Sequence, residues 1–84
     1  MHSVGSGVPA RVVIHPDGTL GAMGALNRWA KDDSRLILAW PRANAPGGEW
    51  VDECVLSPEG CRYVGRNQEG TIIRGWRLAD GMSR

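Results

Sequence analysis

The sequence predicts an all-β fold, an antiparallel meander of six or seven short strands that form a small barrel or a strongly twisted sheet. Turn signals recur every ten to twelve residues or so in the second half of the chain, a spacing of about 8–12 residues being typical of antiparallel β proteins. The segments between them are rich in β-branched and aromatic residues, which suit a pleated, half-buried surface. The turn signals are HPDGT at 15–19, KDDS at 31–34, APGG at 45–48, SPEG at 57–60, NQEG at 67–70 and ADG at 79–81.

The predicted strands follow from these turns. In chain order they are ARVVIH at 10–15, TLGAM at 19–23, LNRWA at 26–30, RLILAW at 35–40, WVDECVL at 50–56, CRYVG at 61–65 and TIIRGWRL at 71–78. The fourth is apolar at nearly every position, which predicts a central strand covered on both faces.

The stretch GAMGALNRWAK, residues 21–31, leaves a helix open as an alternative, because some of its apolar residues have helical spacing. Its two glycines disfavour a helix, and Asp32 and Asp33 would lie at the negative end of the helix dipole. A hairpin of residues 26–30 and 35–40 around the KDDS turn is therefore the preferred interpretation.

The length of 84 residues allows one domain. We place the β domain at residues 11–78, after a lead-in at 1–10 that we expect to be flexible and before a tail at 79–84. Such a small domain buries only about 60% of its unfolded surface, so its core is thin. Phenylalanine is absent, and four tryptophans and Tyr63 supply all the aromatic bulk.

Two cysteines, Cys54 and Cys61, flank the SPEG turn. A two-residue hairpin loop places them on one face but out of register, and a three-residue loop with a glycine bulge places them on opposite faces. Neither register brings them together, so we expect two free thiols, which fit a reducing compartment. The chain also lacks the pattern of a signal peptide and the roughly 18 apolar residues of a membrane span, which favours an intracellular location without membrane insertion.

A set of spaced residues forms a longer pattern over about residues 12–78. It consists of an acidic turn after a tryptophan and an apolar strand that ends in a second tryptophan, followed by the motifs DxxxLSxEG, GxNxxG and GxR. The residues that carry the pattern are Trp29, Trp40, Asp52, Leu56, Ser57, Gly60, Gly65, Asn67, Gly70, Gly75 and Arg77. The pattern resembles that of small bacterial β-meander domains, which look like short relatives of the lipocalin type. The resemblance implies the fold and transfers no activity.

The chain departs from that pattern in three places. Glu59 stands where Asp is usual, and Trp76 fills a position where a small polar residue is expected. The aromatic-rich first strand is also replaced by HSVGSGVPARVV, which puts closure of a barrel in doubt.

Asp52 is a carboxylate on an otherwise apolar strand. A general acid needs a partner carboxylate, a histidine or an adjacent nucleophile, and Glu49 and Glu53 point to the opposite face of the strand. We therefore interpret Asp52 as structural, accepting hydrogen bonds from an indole N–H, from backbone amides or from Arg77, because a buried carboxylate has to be paired or neutralised.

No metal or cofactor is expected. His2 lies in what we take to be a loose terminus and His15 precedes a turn, and the two histidines and two cysteines lack the spacing of a zinc site. GRNQEG and PGGEW are glycine-rich, but they lack the GxxxxGK[ST] pattern of a phosphate loop.

Arginines alternate with aromatic residues on the last two strands, which is one pattern of a platform for single-stranded nucleic acid. The formal net charge of only +1 supplies no long-range attraction to nucleic acid. Arg–Glu pairs across strands of a solvated face explain the pattern equally well, so nucleic acid is not the expected partner. The residues concerned are Arg62, Arg66, Arg74, Arg77, Tyr63, Trp76, Glu53, Glu59 and Glu69.

The tryptophans divide into two groups. We assign Trp29 and Trp40 to the core. Trp50 follows a glycine-rich loop and Trp76 replaces a small residue, so we expect one of these two to be a surface anchor, as tryptophans often are at interfaces.

These features predict a non-catalytic interaction module or accessory subunit of a larger assembly, with another protein as its partner. The candidate binding residues are Trp50, Trp76, Asp52, Arg66, Asn67 and Arg77. The alternative is a carbohydrate-binding module in which Trp50 or Trp76 stacks on a sugar while Asp52, Asn67 or Gln68 binds hydroxyl groups. An enzyme ranks third.

Overall fold

The computed structural model describes residues 1–21 and 26–77, and these residues build one antiparallel sheet of six strands. The strands are β1 (His2–Val4), β2 (Arg28–Asp32), β3 (Arg35–Pro41), β4 (Glu49–Leu56), β5 (Arg62–Arg66) and β6 (Ile72–Trp76). A short 3-10 turn, Pro46–Gly48, precedes β4. The predicted all-β meander is confirmed, and the predicted tail at 79–84 lies outside the described residues.

The strand order across the sheet is β1-β6-β5-β4-β3-β2. Strands β2 to β6 are therefore sequential antiparallel neighbours, and β1 adds to the edge beside β6. The sheet is open and does not close into a barrel, so β1 and β2 are its two edges. The chain between them makes isolated bridges at His2–Ala10, Ile14–Leu20 and Thr19–Arg28, where we had predicted strands at 10–15 and 19–23.

The N-terminus differs from the prediction. His2 pairs with Gly75 and Val4 with Ile73, so part of the predicted lead-in forms an edge strand of the sheet. His2 is buried, with 8% of its surface exposed, and it does not lie in a loose terminus. The residues H-S-V have no pattern of their own, and their place is determined by pairing with a strand near the other end of the chain.

The predicted hairpin around the KDDS turn is present. Strands β2 and β3 pair from Arg28–Ala39 to Asp32–Arg35, and Asp33 turns the chain with a positive φ of 53°, which Asp adopts more readily than most residues. The helix alternative is therefore wrong for residues 28–31, which lie in strand β2, and residues 22–25 lie outside the described part.

The hairpin between β4 and β5 takes neither of the registers that we considered. Leu56 pairs with Tyr63, and the N–H of Ser57 donates to the carbonyl of Arg62, so the loop spans residues 58–61. The hydroxyl of Ser57 accepts hydrogen bonds from the N–H groups of Cys61 and Arg62, which stabilises this longer loop. Cys54 is buried and Cys61 is exposed, and both are free thiols as predicted.

The core lies on one face of the sheet, the inner face, where it is covered by the segment that joins β1 to β2. Its buried residues are Leu20, Leu36, Leu38, Cys54 and Ile73, and half-buried Val12, Trp29, Trp40, Leu56 and Tyr63 pack against them. Trp29 and Trp40 thus contact the core, as predicted. On β3 the outward residues Ile37 and Ala39 are only half-buried. We had predicted that β3 is covered on both faces, and in the structure it is covered on the inner face alone.

The packing at Gly75 generates a stability prediction. Gly75 pairs with Tyr63, and an added Cβ would overlap the Tyr63 ring. We expect Gly75→Ala to lower the free energy of unfolding by at least about 1–3 kcal/mol, because overpacking forces side chains out of their rotamers. Urea denaturation measures the change.

Gly70→Asn is the matched control. Gly70 has a φ of +79° and nothing within 4 Å of an added Cβ, and Asn tolerates this conformation. Its cost should stay below about 1 kcal/mol. Equal stability of Gly75→Ala and the wild type would contradict the close approach of Tyr63 to β6.

Candidate functional site

The inner face carries a polar cluster of four buried or half-buried side chains from four strands: His2 on β1, Trp40 on β3, Asp52 on β4 and Tyr63 on β5. The indole Nε1–H of Trp40 donates to Oδ2 of Asp52 at 2.7 Å. Nδ1 of His2 and the hydroxyl of Tyr63 lie 2.7 Å apart and share a hydrogen bond. Nε2 of His2 is 3.6 Å from Oδ2 of Asp52, which is a contact but too long for a good hydrogen bond.

Strand register brings these groups together. Leu38 is paired with Asp52, so Trp40 lies two positions along β3 on the same face and reaches the carboxylate diagonally. Two inward rows farther along β4, Leu56 is paired with Tyr63. In that row, Gly75 of β6 lies between Tyr63 and His2 and is paired with both. Because Gly75 has no side chain, the imidazole and the phenol can meet across β6.

Burial determines the ionisation of the cluster. It raises the pKa of the Asp52 carboxyl, although the hydrogen bond from Trp40 acts in the opposite direction. It lowers the pKa of His2, helped by the positive N-terminus, and raises the pKa of the Tyr63 hydroxyl. Burial thus shifts the pKa of each of these three groups in the direction that favours its neutral form.

Burial also affects the neighbouring thiol of Cys54. Burial raises the pKa of Cys54 to about 12, with a further contribution from the nearby Asp52 charge. Since the thiolate is the nucleophilic form of cysteine, Cys54 is not prepared for attack on a substrate. The geometry favours a structural role for the whole cluster, and the indole N–H is the partner of Asp52 that we had proposed from the sequence.

Sequence reasoning missed His2 because the residue was assigned to a loose terminus. The one sequence signal for a buried residue here is Gly75 in TIIRGW, because a glycine leaves a gap on the inner face that neighbouring side chains can fill.

The predicted binding residues are divided between the two faces of the sheet and the turn after β5. Asp52 is buried on the inner face, with 2% of its surface exposed. Trp50 is half-buried and pairs with Trp40. Trp76 lies on the opposite, outer face at 39% exposure, and Arg77 is exposed just after β6.

The polar side chains at the turn between β5 and β6 form hydrogen bonds within the chain. Oδ1 of Asn67 accepts hydrogen bonds from the N–H groups of Glu69 and Thr71, both at 3.0 Å. Arg66 donates to the carbonyl of Gly70 at 3.0 Å. Gln68 bonds the backbone of Glu49 and Val51 on β4 at 2.7 and 2.8 Å.

The outer face of β4–β6 is apolar at its centre and basic around it. Val55 pairs with Val64, which pairs with Arg74, and the next outward row pairs Arg62 with Trp76. We call these five residues the outer patch. They line a groove of about 830 Å³.

The acidic side chains of the described residues form no ion pair with the arginines of the outer patch. Glu53 forms an ion pair with Arg35 at 3.2 Å. Within residues 1–21 and 26–77 neither Arg62 nor Arg74 forms an ion pair. The partner of Glu53 is thus Arg35, which was not among the arginines that we considered, and the described acids form no ion pair with the two arginines beside Trp76.

Comparison of the chain with protein-family models, with curated proteins and with solved structures gave no significant match. The resemblance to small bacterial β-meander domains therefore stays a prediction. In the part of the chain that is described, no helix is long and apolar enough to cross a membrane, and no three His, Cys, Asp or Glu residues are grouped as metal ligands.

The buried imidazole generates a prediction for pH dependence. The pKa of His2 in the folded protein lies below its ordinary value of 6.5, so the unfolded chain binds this proton more readily. His2 therefore stabilises the fold above about pH 6.5, and that contribution is lost as the pH falls through the folded pKa. The raised pKa of Asp52 acts in the opposite direction, since its contribution is present at low pH and is lost as the pH rises.

His2→Gln removes the first effect and keeps the second, because glutamine can still bond Tyr63 but does not titrate. We expect the variant to lose less stability than the wild type between about pH 7 and about pH 5, relative to each protein at the higher pH. Denaturant unfolding at a series of pH values measures this difference. Parallel curves would contradict burial of a neutral imidazole.

Proposed function

We propose that this domain is a non-catalytic protein-interaction module, acting as an accessory subunit of a larger assembly, and that its outer patch binds an acidic segment of the partner protein. The observation that carries the proposal is the combination of exposed apolar side chains with arginines that form no ion pair with any described residue.

The apolar part of the patch supplies the contact area. Val55 is 56% exposed, Val64 is 53% exposed and Trp76 is 39% exposed. The two valines are direct cross-strand neighbours, so they form a continuous surface. Tryptophan and arginine are among the residues most enriched at interface hot spots. In this patch Trp76 and Arg62 are direct cross-strand neighbours.

The charged part of the patch defines the chemistry of the partner. Arg62 and Arg74 point outward around the groove, and Arg77 lies at its end. Guanidinium groups bind carboxylates with two parallel hydrogen bonds, and such pairs gain strength where water is excluded. A segment that places an apolar side chain against the valines and carboxylates against the arginines complements this surface.

The contacts give less support to a carbohydrate-binding module or to an enzyme. Asn67 and Gln68, which were candidates for binding sugar hydroxyls, use their amides in the turn and on β4, and Asp52 is buried. For an enzyme, the Cys54 thiol and the Tyr63 hydroxyl both have raised pKa values and carry no reactive charge at neutral pH. The free thiols fit a reducing compartment, and we propose an intracellular location on that basis.

Binding of designed peptides to the full chain tests the proposal. The peptides share a leucine and tryptophan centre and differ only in flanking residues, which are Glu, Gln or Lys. We expect the Glu-flanked peptide to bind best, with an affinity that falls as salt is added. Trp76→Ala and Arg74→Glu should each weaken it about tenfold or more, measured by isothermal titration calorimetry.

Lys31→Glu is the matched charge reversal, since Lys31 lies on β2 at an inward position away from the patch, and it should leave peptide binding unchanged. Far-UV circular dichroism verifies that each variant is folded. Equal binding of all three peptides would contradict the proposal, and so would sugar binding that is lost in Trp76→Ala while peptide binding is absent.

A further inference from the structure

Two arginines of the outer patch are diagonal neighbours on adjacent strands. Arg62 of β5 is paired with Trp76, and Arg74 of β6 is paired with Val64, so the two arginines are offset by two residues on the same face. Diagonal neighbours of this kind are about 7–8 Å apart. Both side chains are exposed, and each guanidinium lies at the end of a long flexible stem. Both groups can therefore contact one small ligand between them.

The charge of this arginine pair is not offset by nearby side chains. None of the described residues that line the groove is Asp or Glu, and neither arginine forms an ion pair with a described residue. Arg66 is the other diagonal neighbour of Arg74, but it donates to the carbonyl of Gly70. The direct neighbours of the pair are uncharged as well, namely Val64 and Ser3 beside Arg74, and Trp76 and Ser57 beside Arg62.

The geometry of the pair discriminates between types of anion. A carboxylate has a single negative charge, and one guanidinium satisfies its two oxygens with two parallel hydrogen bonds. A phosphate monoester has a charge of about −1.5 to −2 at pH 7 and three strong acceptor oxygens, so it can accept from two guanidinium groups at once. Two arginines around one position therefore fit a phosphate monoester better than a carboxylate.

From this arrangement we infer that the outer patch binds a phosphorylated segment of the partner protein, with the phosphate of a phosphoserine between Arg62 and Arg74. The inference rests on the function proposed above, in which acidic groups of the partner contact these arginines. It adds that one of those groups is a phosphate, so that phosphorylation of the partner controls binding. The apolar part of the segment contacts Val55, Val64 and Trp76.

Nucleic acid also presents phosphates, but it fits the outer patch less well. The formal net charge of +1 supplies no long-range attraction to a polyanion. A platform for single strands stacks successive bases on aromatic side chains, whereas Trp76 is the one aromatic residue of the outer patch and its neighbours toward β4 are valines. A single phosphate next to an apolar side chain matches this surface better.

Three peptides that differ at one position test the inference by isothermal titration calorimetry with the full chain. They keep the leucine and tryptophan centre and the glutamate flanks of the peptide described above, and one flanking residue is phosphoserine, glutamate or serine. We expect the phosphoserine peptide to bind at least about threefold tighter than the glutamate peptide and about tenfold tighter than the serine peptide. Between about pH 7.5 and about pH 5.5 its advantage over glutamate should shrink, because the second pKa of the phosphate is about 6.

Two charge-removing variants locate the phosphate. Arg62→Gln and Arg74→Gln should each reduce the preference for phosphoserine over glutamate to less than about twofold, because one guanidinium alone serves a carboxylate equally well. Arg28→Gln is the matched control, since Arg28 is an exposed arginine on the same face at the far edge strand β2, and it should keep the full preference. Far-UV circular dichroism verifies that each variant is folded.

The outcomes separate this inference from the proposed function. Equal affinity for the phosphoserine and glutamate peptides would overturn the inference and leave the proposed function standing, whereas failure of all three peptides to bind would contradict both. A preference for phosphoserine that persists in both Arg62→Gln and Arg74→Gln would also overturn the inference. So would an oligouridylate that binds more tightly than the phosphoserine peptide and loses its binding in Arg74→Gln, since the patch would then be a nucleic-acid site.

Discussion

The fold depends on the hydrogen bond between the Trp40 indole and the Asp52 carboxylate. A carboxylate that is 2% exposed is costly unless it is paired or protonated, and its donor comes from the neighbouring strand at 2.7 Å. A shift of β3 against β4 by one residue would turn Asp52 to the outer face and leave the indole without an acceptor. One polar contact thus specifies the register at the centre of the sheet.

The contact also reaches the edge of the sheet. His2 lies beside Asp52 and shares a hydrogen bond with Tyr63, so β1 is held by the same cluster that aligns β3 and β4. This arrangement requires Gly75, whose missing side chain leaves room for His2 and Tyr63 to meet across β6. The alternation of side chains then assigns opposite properties to the two faces. The inner face is aromatic and leucine-rich, and the outer face is valine- and arginine-rich.

Sequence reasoning succeeded where the signals are local. Turn residues and apolar alternation placed β3 to β6 within one or two residues of their observed bounds, because hairpin neighbours are close in sequence. It failed for β1, whose pairing partner lies near the opposite end of the chain, and for the loop after β4, where the Ser57 hydroxyl stabilises a longer connection. The binding residues were chosen by chemical type, and only the register shows that Asp52 and Trp76 lie on opposite faces.

A double-mutant cycle with Trp40→Phe and Asp52→Leu tests the central claim most directly. Each single variant leaves the partner side chain without this hydrogen bond, and the double variant removes both groups together. Free energies of unfolding from urea denaturation should show a coupling of about 1–3 kcal/mol between the two positions. Additivity within about 0.5 kcal/mol would mean that the indole and the carboxylate do not stabilise each other, and would contradict the claim that their hydrogen bond specifies the register of β3 against β4.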